Sequence, residues 1–218
     1  MQLPYVSMLA AMKAGAAYFA LDTALPANHL RHMLTDSKPV AVLSAGTARF
    51  RLERDVLPPV GATGRPAVLD VVSALALGLV AAPVPPAGGD GSRLCYLMYT
   101  SGSTGLPKAC AIEHRSIVNL VVQESLLWPI EPADRVLQVI QPHCAAMDIA
   151  STATCSHFGA IFIVIVVTLH VDLQAGSFSF DMSLEEIWFA FCNGASLVVA
   201  DDVMVRAGPA FADWLQVT

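Results

Sequence analysis

Apolar residues along the first part of the chain switch between two spacings. Over residues 3–18, Val6, Leu9, Ala10 and Met12 recur at helical intervals, which predicts an amphipathic helix ending near Gly15. Tyr18-Phe19-Ala20-Leu21 then forms a short apolar run, the pattern of a buried strand. Pro26 opens a second predicted helix, Ala27 to Asp36, in the first-turn position that proline tolerates. Pro39 to Leu43 reads as the next strand. Helices and strands in alternation point to an α/β fold with a parallel sheet.

The pattern then loosens. Leu57 to Arg93 is rich in Pro, Gly and Ala, with a strand predicted at Val68 to Val72 and a surface loop at Pro83 to Ser92. Arg93 to Thr100 is a strand that runs directly into Ser101-Gly102-Ser103-Thr104-Gly105. Ala109 to Ile112 reads as a short strand, and Ser116 to Leu127 as a helix with Ile117, Leu120, Val121 and Leu127 as its apolar positions. Ser183 to Cys192 is a helix stopped by Asn193-Gly194, and Ala195 to Ala200 a last strand. No internal repeat is present.

Composition narrows the class. Of 218 residues, 55% are hydrophobic and 14% charged, which fits one domain or one large fragment with a buried core. A net charge of −6 argues against nucleic acid or an anionic membrane as the main partner. The five cysteines are odd in number and form no CxxC pair, so a reduced, cytoplasmic setting is expected rather than a disulfide framework. The apolar run Gly159 to Leu169 falls short of the roughly 18–20 residues that cross a bilayer. Leu3 to Met12 lacks the basic lead of a signal peptide. No targeting to a membrane is expected.

Most of the chemistry lies in Tyr99-Thr100-Ser101-Gly102-Ser103-Thr104-Gly105-Leu106-Pro107-Lys108. Glycines let a backbone approach an anion and turn its N–H groups toward it. The hydroxyls of Ser101, Ser103 and Thr104 and the Lys108 ammonium add donors. Such a loop suits a nucleotide triphosphate, although GxxxxGK[ST] does not occur. The competing reading is a polar, glycine-rich turn between strands.

This string resembles the signature loop of the adenylate-forming superfamily, which includes acyl-CoA synthetases, luciferases and the adenylation domains of nonribosomal peptide synthetases. Met12-Lys13-Ala14-Gly15-Ala16-Ala17-Tyr18-Phe19-Ala20-Leu21-Asp22, with Leu25-Pro26 and His29-Leu30, resembles the second core motif of those adenylation domains. Phe178-Ser179-Phe180-Asp181-Met182-Ser183 resembles the fourth. The resemblance implies the N-terminal α/β subdomain of that fold, present in part, with mostly parallel sheets flanked by helices. It implies ATP with Mg²⁺, an amino-acid substrate, and a phosphopantetheine arm on a carrier domain as acceptor. By the same similarity Thr100, Ser101, Gly102, Ser103, Thr104, Gly105 and Lys108 would hold the phosphates, with Thr104 and Lys108 nearest the chemistry. Asp181 would pair with the substrate α-ammonium, and Met182 and Glu185 would line the pocket. The alternative for Asp181 is a helix N-cap. The family usually has glycine after the lysine; Ala109 stands there, a methyl that is either tolerated or tightens the loop.

One segment departs from the family. Its members pass from a stretch like Arg135-Val136-Leu137-Gln138 almost directly to the strand before FDxS, whereas here residues 139–174 intervene. We read Val139 to Gln174 as a retained intron translated in frame, since valine codons begin with GT and a glutamine codon can end in AG. Trp214-Leu215-Gln216 followed by Val217-Thr218 repeats the pattern at the chain end. Within the segment, His143, Cys144, Cys155 and His157 fit no common zinc spacing, and Ile161 to Val167 is a β-branched stretch prone to aggregate if exposed. The family's first motif, its adenine and ribose contacts and its C-terminal lysine have no counterpart among these 218 residues. Residues 1–218 are therefore expected to be part of an adenylation domain, inactive alone. The alternatives are a fragment of an acyl- or aryl-CoA ligase and a non-catalytic nucleotide-binding remnant.

Overall fold

The computed structural model describes residues 3–23, 25–77, 89, 91–100, 105–138, 162–167 and 181–199. They form two compact units, residues 1–115 with 149–169, and residues 116–148 with 170–218.

In the first unit, α1 (Leu3–Lys13) leads into β1 (Ala17–Asp22), with Gly15 at φ +74° making the turn between them. Helix α2 (Ala27–Ser37) starts one position after Pro26, whose ψ of 143° is still extended, so the proline precedes the helix instead of forming its first turn. There follow β2 (Ala41–Ser44), α3 (Ala48–Asp55), β3 (Ala67–Asp70), α4 (Val71–Ala76), β4 (Leu94–Thr100) and β5 (Lys108–Glu113). Val71 and Val72, expected to extend a strand, are helical instead. Asp70 caps that helix by accepting the Ser73 N–H at 2.7 Å, a local hydrogen bond that overrides β-branched propensity. Helix α3 was not anticipated: only Ala48 and Leu52 are buried on it, too narrow an apolar stripe to register.

Among the described residues the sheet of this unit has six strands in the order β3-β2-β7-β1-β4-β5, where β7 is Phe162–Val167. The pairs β3–β2, β2–β7, β7–β1 and β1–β4 are parallel, whereas β5 runs antiparallel to β4. Ala17, Phe19 and Leu21 of β1 face one core with Leu30, Met33 and Leu34 of α2 and Leu52 of α3. Tyr18 points the other way, as period-two geometry requires, and its ring lies 5.9 Å from that of Tyr96. Residues 162–167 of the apolar run predicted as an aggregation hazard are thus a strand of the sheet, paired on both edges; Ile161 lies outside the described residues.

The second unit holds β6 (Arg135–Gln138), which pairs in parallel with β8 (Ser196–Val199), and α6 (Asp181–Cys192), which packs on both. Helix α5 (His114–Leu127) belongs to this unit from Ser116 onward. Leu184, Ile187, Trp188 and Ala190 bury one side of α6. Gly194, at φ +71°, closes that helix as its sequence predicts. Of the expected apolar positions of α5, Ile117 and Val121 are buried while Leu120 and Leu127 are exposed. Among the described residues, no helix is long and apolar enough to cross a membrane.

Because Leu21 is fully buried in β1, Leu21→Ala should destabilise the chain by about 2–5 kcal/mol, read as a lower urea midpoint.

Candidate nucleotide-binding loop

Five parallel strands bring their carboxyl ends to one edge of the sheet, at Asp22, Ser44, Asp70, Thr100 and Val167. In open α/β sheets this is the edge at which ligands bind. Strand β5 begins there, running back against β4 with Lys108 opposite Thr100 and Ala109 opposite Tyr99. Strands β4 and β5 are therefore the stems of a hairpin, held together at that edge. Residues 101–104, with the predicted phosphate contacts of Ser101, Gly102, Ser103 and Thr104, lie outside the described residues.

The described part suits an anion. Gly105 has φ +81°, which L residues rarely adopt, and a Cβ there would meet none of the described residues within 4 Å. Lys108 is exposed, so its ammonium is available to a ligand. Ala109 is not in the loop: it is a partly buried strand residue. Its backbone is that of a β-strand, which does not require glycine.

Helix α2 grips both stems of the hairpin. His32 donates its Nε2–H to the Pro107 carbonyl at 2.9 Å, just before Lys108. Tyr99, just before Thr100, donates its hydroxyl to the Asp36 carboxylate at 2.9 Å, with the Met33 carbonyl 3.1 Å away. The Tyr99 ring packs against Phe19, centroids 5.4 Å apart. Sequence reasoning missed His32 and Asp36. They share one helical face, but their partners lie 75 and 63 positions away, a separation that no local pattern encodes.

The predicted substrate residues fall on α6 in the second unit. The helix begins at Asp181 rather than Ser183, so Asp181 and Met182 belong to its first turn. Glu185 is partly buried and hydrogen-bonded to Glu124 of α5. Burial, that hydrogen bond and the charge of Glu185 push the Glu124 carboxyl from its ordinary 4.5 up to about 7. Nearby, Asn193 ties the same two helices by donating Nδ2–H to Ser125 Oγ at 3.1 Å. Among the described residues no group of three or more His, Cys, Asp or Glu is placed to hold a metal ion. The residues His143, Cys144, Cys155 and His157 lie outside the described residues.

The sequence profile of the AMP-binding enzymes matches residues 4–170. The chain belongs to that family. It is 33% identical over 211 residues to a linear gramicidin synthase of Brevibacillus parabrevis, covering 97% of this chain and 2% of that protein. It is 34% identical over 216 residues to a surfactin synthase of Bacillus subtilis, covering 97% of this chain and 5% of that protein. The chain thus spans a small part of these relatives. Among solved structures, VinN in complex with L-aspartate superposes with TM-score 0.65 at 24% identity, covering 95% of this chain and 43% of that one. The N-terminal subdomain of Klebsiella oxytoca NpsA gives TM-score 0.59 at 23% identity, covering 96% and 42%. The fold is that of the N-terminal subdomain of adenylate-forming enzymes, in part, as the motifs implied.

Two outcomes follow from the contacts. His32→Ala should speed amide exchange at residues 105–110 by about 3–10-fold, the worth of one hydrogen bond, and His32→Gln should recover part of it. Glu124 holds its proton in the folded state above the pH at which the unfolded chain loses it. Its contribution to stability is therefore full below about 4.5 and lost as pH rises through about 7. A pH series of thermal midpoints should show that fall in the wild type, and Glu124→Gln should remove it.

Proposed function

We propose that this chain is the phosphate-gripping part of an ATP-dependent amino-acid adenylating domain of nonribosomal peptide synthesis. The observation that carries this reading is the Thr100–Lys108 pairing, which sets a glycine-rich hairpin at the carboxyl edge of a parallel sheet. The relatives named gramicidin and surfactin synthases support the amino-acid branch over the acyl- and aryl-CoA ligases.

In the proposed reaction an amino-acid carboxylate oxygen bonds to the α-phosphorus of ATP and pyrophosphate leaves. A phosphopantetheine thiol on a carrier domain then takes the acyl group, and AMP leaves. No protein nucleophile is required, so the chain's own work is positioning and charge neutralisation. The hairpin N–H groups and the hydroxyls of Thr100, Ser101, Ser103 and Thr104 would hold the β- and γ-phosphates. The Lys108 ammonium would offset the charge that grows on the departing pyrophosphate. Mg²⁺ carried with ATP would supply further charge neutralisation alongside Lys108. Asp181 would pair with the substrate ammonium from the first turn of α6, with Met182 and Glu185 beside it. Glu185 would sit in that pocket wall hydrogen-bonded to Glu124 of α5.

The apolar side chains Val118, Val122, Leu126, Leu127 and Trp128 are 50–73% exposed, a surface suited to the remainder of a larger domain. Pyrophosphate exchange is accordingly expected to be absent from this chain alone. It should appear, with α-amino acids and not with aryl or fatty acids, once the chain is joined to such a remainder.

Calorimetric titration with Mg·ATP tests the hairpin directly. Lys108→Ala should weaken binding by about 10–100-fold, the range of a charge-assisted hydrogen bond. Equal affinity in the variant would remove the phosphate-gripping role.

A further inference from the structure

Strands β1 and β2 follow each other in the chain, joined by α2, yet they share no hydrogen bonds. Strand β7 lies between them. Its whole length pairs with β1, from Ala17 opposite Phe162 to Asp22 opposite Val167. Its other edge pairs with β2, from Ala41 opposite Ile163 to Leu43 opposite Ile165. Among the described residues, β7 supplies the pairing that joins β3 and β2 to β1, β4 and the hairpin strand β5.

We propose that residues 162–167 are a docking strand, delivered from a remote part of the chain, that closes a slot one strand wide in the middle of the sheet. Neighbouring strands stand about 4.8 Å apart, so without β7 the edges of β1 and β2 would face each other across roughly 10 Å, too far to pair. The β1 and β2 edges would then lose their ladder partners; with β7 in place, Tyr18, Phe19, Leu21 and Val42 beside it are at most 2% exposed. Buried backbone groups are almost always paired, so an open slot is a structure the chain avoids.

The composition of the segment matches the slot. Ile163-Val164-Ile165-Val166-Val167 is an unbroken β-branched run, the sequence form of a strand covered on both faces of a parallel sheet. Helix α1 packs on this strand, and α2 and α3 pack on the core face of its neighbours β1 and β2. An alternating polar–apolar strand would bury polar groups there. The same run left outside the slot is the kind of segment that assembles between chains. Docking therefore completes the sheet and hides an aggregation-prone edge. Residues 162–167 lie within the stretch 139–174, expected from the sequence to be an insertion, and they form a strand of the sheet that carries the hairpin.

Hydrogen exchange read by mass spectrometry on the whole chain tests this. Amides of residues 162–167 should exchange at least about a hundredfold more slowly than in an open chain, together with residues 17–22 and 41–44. Val164→Pro removes a ladder donor from a strand bonded on both edges, and should cut protection of both neighbours about tenfold or more. Open-chain exchange at 162–167 beside protected 17–22 and 41–44 overturns the proposal. So does a Val164→Pro variant with both neighbours as protected as in the wild type. If that variant does not fold, the wild-type pattern decides by itself.

Discussion

Thr100 and Lys108 face each other across the antiparallel ladder of β4 and β5, at the edge where the parallel strands end. Everything proposed for the site depends on that pairing. A parallel strand entering this sheet would leave its first residue at the far side. An antiparallel return instead places the first residue of β5 beside the last residue of β4. The ladder thus brings Lys108 to the same edge as Thr100, where the glycine-rich sequence begins. A phosphate needs both fixed N–H groups and a cation, and loop-closure entropy is already spent when the ladder forms.

A hairpin of this kind is only as rigid as its stems. Helix α2 secures both, through His32 to the Pro107 carbonyl and through Tyr99 to Asp36. Its apolar side, Leu30, Met33 and Leu34, is buried in the core with Phe19 and Leu21. One helix therefore serves packing with one set of residues and loop geometry with another. Fixing the stems from a helix that packs on the sheet face ties them to the core.

The second unit adds a different kind of control. Glu124 and Glu185 are carboxyl groups on two helices, close enough that one keeps its proton to about pH 7. Like charges at this range do not both ionise without cost. In the proposed enzyme Glu185 would stand on the same helix as Asp181, so its hydrogen bond to Glu124 would tie α5 to the substrate side of α6.

Much of this protein was legible in its residues. Alternating apolar spacings gave α1, β1, α2 and β2 in order, and the ten residues from Tyr99 to Lys108 pointed to the candidate loop, because those signals are local. Local chemistry also misled: Val71 and Val72 read as strand until the Asp70 cap is seen, and the polar face of α3 hid a helix anchored by Leu52 alone with Ala48. Only the tertiary structure decided that α2 braces the loop, since hydrogen bonds spanning 63 to 75 positions leave no periodic trace. It alone placed residues 162–167 between β1 and β2. A continuous β-branched run says that a strand is covered on both faces, but its neighbours are chosen by which edges stand open after the other strands have paired.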